Sequence, residues 1–117
     1  LIDIRFGKHQ PFRISVWHGG GHARTKGAKA QMLHRFMGQH GSQLYLVGHL
    51  HDAIVLPDWR MERVNGGIKL TKIMGIMSSS FQGYWNSYAE CAALTPSDTM
   101  MGRVILTRDG KWETTLR

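Results

Sequence analysis

Three of the seven histidines in this 117-residue chain are set apart by where they fall. His49 and His51 lie two apart in Gly48-His49-Leu50-His51, and His18 opens His18-Gly19-Gly20-Gly21-His22. Neutral imidazole ligates Mn, Fe, Zn and Ni, and two neighbouring imidazoles can serve one ion or two. Residues i and i+2 of an extended segment point to the same side, so His49 and His51 can face one cavity. Three consecutive glycines after His18 permit a tight backbone there. His9, His34 and His40 read as surface or hydrogen-bonded structural residues. His22 reads as structural too, although it shares the glycine-rich loop.

Strands must deliver these side chains. Phe12–Trp17 alternates, with Phe12, Ile14 and Val16 on one face, and ends directly before His18. Gln43–Val47 is a short apolar strand ended by Gly48. Between them, 25–39 is helical in period. Ala30, Leu33, Phe36 and Met37 share a face, Thr25 stands as N-cap, and Gly38 and Gly41 flank the end. A helix between the two strands lets them run parallel, and ligands in open α/β sheets collect beyond the carboxyl ends of such strands. Further strands are expected at Leu1–Phe6, at Ala53–Leu56 where Pro57 stops it, at Ile68–Met77, and at Arg103–Thr107 and Lys111–Leu116 around an Asp109-Gly110 turn. Trp85–Leu94 reads as a short helix. The order is strand, helix, then mostly strands, which gives an α/β class leaning towards α+β in one domain.

Arg24, Lys26 and Lys29 fall at or just inside the expected helix N-terminus, where positive charge opposes the helix dipole. A cationic first turn makes sense if an anion docks there, held by free backbone N–H groups and side-chain charge together. Arg24 and Lys26 are thus the candidate phosphate contacts. The alternative is that these side chains simply point into water.

Val47-Gly48-His49-Leu50-His51 resembles the Gly-His-x-His motif that closes the metal site of calcineurin-like metallophosphoesterases. Val16-Trp17-His18-Gly19-Gly20-Gly21 resembles the strand-ending His-Gly that precedes it in that family, and the interval of about 30 residues with one helix also fits. Ser80-Phe81, Tyr88-Ala89-Glu90 and Gly102 resemble the C-terminal region of phage-type members. The resemblance covers most of the chain. It implies the C-terminal half of a metallophosphoesterase β-sandwich flanked by helices. It further implies a hydrolase, or phosphatase, acting on phosphomonoesters or phosphodiesters with two divalent ions. Manganese comes first, and Fe, Zn or Ni suit the same ligands. By position, His18 and His49 would bind one ion and His51 the other. Paired ions about 3.5–4 Å apart generate hydroxide near neutral pH and stabilise both the attacking and leaving oxygens.

The family's remaining ligands lie in an Asp-x-His, a Gly-Asp and a Gly-Asn-His, none of which occurs here; Asn65 sits in Val64-Asn65-Gly66-Gly67. The bridging carboxylate and the histidine that protonates the leaving group are therefore expected in an N-terminal half outside residues 1–117, and the opening on Leu1 agrees with a fragment. No catalytic residue is assigned in this chain. Alone, it is expected to have little phosphoesterase activity and to self-associate through a sheet edge that the missing half would cover. Two other readings compete. One is a mononuclear protein holding a single ion on His18, His49 and His51. The other is a basic nucleic-acid-binding module, for which net charge +7 and Trp17, Trp59, Trp85 and Trp112 offer phosphate contacts and stacking surfaces. Trp17 and Trp112 fall in strand-like patterns and read as core. The charge favours an anionic partner, whether a phosphate ester or nucleic acid. A single cysteine, Cys91, leaves no internal disulfide and fits a reducing, cytoplasmic location. No apolar run approaches the roughly 18 residues that span a bilayer, so no membrane partner is expected.

Overall fold

Phe12–Trp17 and Leu44–Val47 form two parallel strands in the computed structural model, which describes residues 1–79, 85–86, 91 and 100–117. In chain order the elements are β1 (Ile2–Ile4), β2 (Phe12–Trp17), α1 (Lys26–Met37), β3 (Leu44–Val47), β4 (Ile54–Val64), β5 (Gly67–Met77), β6 (Gly102–Leu106) and β7 (Trp112–Leu116). The first five strands make one sheet in the order β1-β2-β3-β5-β4, and β6 pairs with β7 alone. The β2-α1-β3 crossover and the β3–β5 pair are parallel, whereas β1–β2 and β4–β5 are antiparallel. The class is mixed α+β. Among the described residues no helix is long and apolar enough to cross a membrane.

Alternation along the central strands gives each sheet face its own cover. On one face, Leu33, Phe36 and Met37 of α1 pack against Tyr45, Val47, Ile73 and Met77. On the other, Phe12, Leu44, Met74 and Ile76 meet Val104, Leu106, Trp112 and Leu116 of the β6–β7 ribbon. A side chain at Gly75 would lie 2.5 Å from the Met37 sulfur and 3.1 Å from Leu33, so glycine there is what lets α1 seat directly on the sheet. Thr25 caps the helix as expected, its hydroxyl accepting from the Ala28 N–H at 3.2 Å.

Two expectations need correction. Pro57 does not stop the fourth strand: β4 runs through it to Val64, with Pro57 opposite Met74. The reason is position, because β4 is an edge strand and a proline whose missing donor faces outward costs no ladder bond. Val16 shares the face of Phe12 and Ile14 as expected, and is 53 % exposed near the end of β2. The helix ends at Met37, two residues short of Gln39. The short helix expected at Trp85–Leu94 and the motif residues Ser80, Phe81, Tyr88, Ala89 and Glu90 lie outside the described residues, apart from Trp85, Asn86 and Cys91.

Candidate metal centre

Because β2 and β3 are in register up to Trp17 opposite Val47, the residues that follow them leave the sheet side by side. The Gly48 N–H donates to the Trp17 carbonyl at 3.3 Å, and the Ser78 N–H donates to the Val47 carbonyl at 3.0 Å. Gly19 has φ +91°, and a Cβ there would sit 2.6 Å from the Gly48 carbonyl oxygen. Backbone cannot give way as a flexible side chain can, so glycine at this position is required for the two loops to touch.

The His49-x-His51 loop is held in a conformation most residues avoid. The Leu50 N–H returns to the Gly48 carbonyl at 2.9 Å, a γ-turn centred on His49. His49 and His51 both have positive φ, 70° and 54°. Each costs on the order of 1 kcal/mol relative to glycine, and such residues gather at functional sites. The i, i+2 argument from extended geometry therefore does not describe this loop; turning backbone aims the two rings instead.

The His18 and His49 ring centres are 4.8 Å apart, and those of His49 and His51 are 6.5 Å apart. An ion about 2.1 Å from a ring nitrogen lies roughly 3.3 Å from that ring's centre. Two rings on one ion therefore have centres about 5 Å apart near a right angle, and no more than about 6.5 Å at the straight-line limit. The His18–His49 separation fits a shared ion, whereas His49 and His51 are at the limit. Among the described residues no three His, Cys, Asp or Glu side chains converge on one point. That geometry suits a pair plus a separate third ligand better than a single three-histidine ion. His18 and His49 are exposed and His51 is half-buried.

Asp52, the residue directly after the motif, was not singled out by sequence. It is 5 % exposed. Its Oδ2 lies 3.4 Å from the Lys29 Nζ, its Oδ1 lies 3.3 Å from the Lys26 Nζ, and Oδ1 also accepts the Ala53 N–H at 2.9 Å. Lys29 is itself 6 % exposed. The anion at the start of α1 is thus an internal carboxylate, and Lys26 pairs with it while leaving most of its own side chain in solvent. Arg24 is exposed on the preceding loop. A signal for Asp52 did exist: Lys29 is four residues before Leu33 on the apolar face of α1, and a buried ammonium demands a carboxylate.

Elsewhere, His34 Nε2 is 3.3 Å from Asp58 Oδ2, and His40 lies edge-on to Phe36 in a pocket that Trp17 also lines. Trp17, expected in the core, is 39 % exposed although its ring packs against Phe36, and Trp112 packs edge-on against Phe12 with the Lys72 ammonium 5.1 Å from its ring centre. Comparison with protein families, with curated proteins and with solved structures found no match.

Proposed function

We propose that this chain is the C-terminal part of a two-metal phosphoesterase domain of the calcineurin-like type and supplies three of its histidine ligands. The observation that carries the reading is the His18–His49 separation of 4.8 Å, with His51 at 6.5 Å from His49, beyond the carboxyl ends of adjacent parallel strands. In this reading His18 and His49 hold one divalent ion and His51 contributes to the second, with Mn²⁺ first among Mn, Fe, Zn and Ni. When bound, the ion pair would activate a water and offset the charge on a phosphate ester. The only buried carboxylate beside the triad among the described residues, that of Asp52, is already matched by Lys26 and Lys29. In this reading the anionic ligands, and the group that protonates the leaving oxygen, come from outside the described residues.

This chain's own residues hold and aim the ligands. Gly19 lets the loops cross, Asp52 ties the end of the histidine loop to α1, and Lys26 leaves positive charge facing solvent beside Asp52, with Arg24 exposed on the preceding loop. A net charge of +7 supports an anionic substrate, with nucleic acid included among the phosphate esters. A lone cysteine supports a reducing, cytoplasmic setting.

Calorimetric titration of the chain with Mn²⁺ tests the reading. One weak site is expected, abolished by His18→Ala or His49→Ala and little changed by His51→Ala. Equal loss with all three variants would favour the mononuclear three-histidine protein. No binding at millimolar Mn²⁺ would overturn both.

A further inference from the structure

Beyond the core, β4 and β5 continue as a two-stranded arm. β3 pairs with β5 only from Met74 to Met77, so the hairpin from Asp58 to Ile73 has no third strand among the described residues. One face of the arm sets Trp59, Met61 and Arg63 opposite Lys72, Leu70 and Ile68. Trp59, Met61, Ile68 and Leu70 are between 60 % and 73 % exposed. A ribbon of two strands is marginal in water without a partner, and a contiguous apolar face of this kind is unusual on a monomer.

The two edges of the arm differ. The β5 edge carries Lys69 and Lys72 with no acidic residue, which discourages a further strand. The β4 edge carries both signs, in Asp58, Arg60, Glu62 and Arg63. The turn fixes which of its main-chain groups are free. Asn65 and Gly66, with φ of 33° and 83°, form a two-residue connection closed by Val64 opposite Gly67. Val64, Glu62, Arg60 and Asp58 then turn their main-chain groups towards β5, and Arg63, Met61, Trp59 and Pro57 turn theirs outward. Pro57 has no donor and Asn65 begins the turn, which leaves Asp58–Val64 as the free edge among the described residues, with Met61 at its midpoint.

We propose that two copies of this chain pair antiparallel along β4 about a two-fold axis at Met61, joining their five-stranded sheets edge to edge. In that register Trp59 of one copy lies opposite Arg63 of the other, a contact that occurs twice, while the Arg60 guanidinium stays on the carbonyls of its own chain. Cation–π pairs across strands are favourable. Centring the axis on Arg60 or Glu62 sets a like charge against itself. Moving it two residues either way brings Pro57 or the Asn65 turn into the ladder. The central bonds run between the Met61 N–H and C=O groups of the two copies. The Trp59 N–H is already held by Asp58 Oδ1 at 2.8 Å, so the outer bonds run from the Arg63 N–H to the Trp59 carbonyl. Joining the arms buries on the order of 1,000 Å² in all, the lower range of specific interfaces. The pairing does not depend on any metal.

Sedimentation velocity of the chain from micromolar to near-millimolar concentration is the first test, and a concentration-dependent dimer is expected. Met61→Pro removes an outward N–H and no bond to β5, so it gives a monomer whose circular dichroism matches that of the parent at concentrations where the parent is also monomeric. Should that variant fail to fold, Arg63→Glu, at an exposed site, weakens the dimer at least tenfold. In a Cys91→Ser background, Met61→Cys crosslinks between copies under mild oxidation, since facing strand residues have Cα atoms about 5.5 Å apart. Leu70→Cys, on the same face but on β5, does not. A chain that stays monomeric throughout, a dimer indifferent to Met61→Pro and Arg63→Glu, or equal crosslinking of the two cysteine variants would overturn the proposal.

Discussion

At the C-terminal end of α1, Arg60 reaches across from β4 and donates to the carbonyls of Met37 at 3.1 Å, His40 at 2.9 Å and Ser42 at 3.1 Å, and to the Tyr45 hydroxyl. A cation there agrees with the helix dipole and satisfies carbonyls that the helix leaves open. The N-terminal end is built the other way. Its first turn contains no acidic residue and carries Lys26 and Lys29, so the local charge opposes the dipole. What compensates is Asp52, which belongs to the end of the histidine loop and not to the helix. One end of α1 is therefore secured by its own electrostatic preference, and the other by a contact that also fixes the candidate site. The comparison suggests that stability was given up where β2, β3 and α1 meet the histidines, and that Asp52 couples the helix to the loop.

Removing Asp52 should have the largest effect. Asp52→Asn leaves the Lys29 ammonium buried without a counter-charge, and losing one member of a buried pair costs about 3 kcal/mol. Denaturant melts should show that loss, and the double variant Lys29→Met/Asp52→Asn should recover most of it, because an apolar replacement at position 29 sits among Leu33 and Phe36. If the single and double variants are equally unstable, the ion pair is not what ties the loop to the helix.

At the opposite end, Arg60→Ala should cost about 2 kcal/mol, the scale of charge-assisted hydrogen bonds lost from a partly buried cluster. Arg60→Lys should recover less than half, since an ammonium cannot reach several acceptors with the fixed fork of a guanidinium. Equal stability of the lysine variant and the parent would mean that the charge alone acts on the helix dipole.

The strained loop should respond in the reverse direction. His49→Gly relieves a positive φ of 70° and should raise stability by about 1 kcal/mol while eliminating the proposed Mn²⁺ binding. A variant that is neither more stable nor deficient in metal binding would remove the link between strain and ligation. His49→Ala separates the two, because it loses the ligand and keeps the strain.

Much of this was legible in the sequence where pattern and packing agree. The parallel β2-α1-β3 unit, the Thr25 cap and the apolar face of α1 all follow from period and capping, and so does the placement of His18 and His49 beyond adjacent strand ends. The length of β4 was not read, because Pro57 looks like a stop until the strand is known to be an edge. The Asn65-Gly66 pair was a turn signal that went unused while Asn65 was weighed only against a ligand motif. Asp52 was missed because its partners are 23 and 26 residues away, and nothing local marks a carboxylate as buried. Lys26 was read as a phosphate contact, and the sequence could not say that the chain itself places a carboxylate beside it.

The smallest effect belongs to Asp58, at the root of the arm, where a surface charge is partnered without being buried. The Trp59 N–H donates to its carboxylate and His34 adds a second contact, and together they hold its pKa below the ordinary 3.8. A carboxylate whose folded pKa is lowered contributes stability above its unfolded value and loses it as pH falls through the folded one. The melting-temperature gap between the parent and Asp58→Asn should therefore be present from neutral pH down to about 5 and close below 3.8. The main-chain bond is the larger cause, so His34→Ala should narrow that gap without closing it. If His34→Ala abolishes the gap, the histidine is the dominant partner, and this site resembles the ion-paired N-terminus of α1 more than a local main-chain turn.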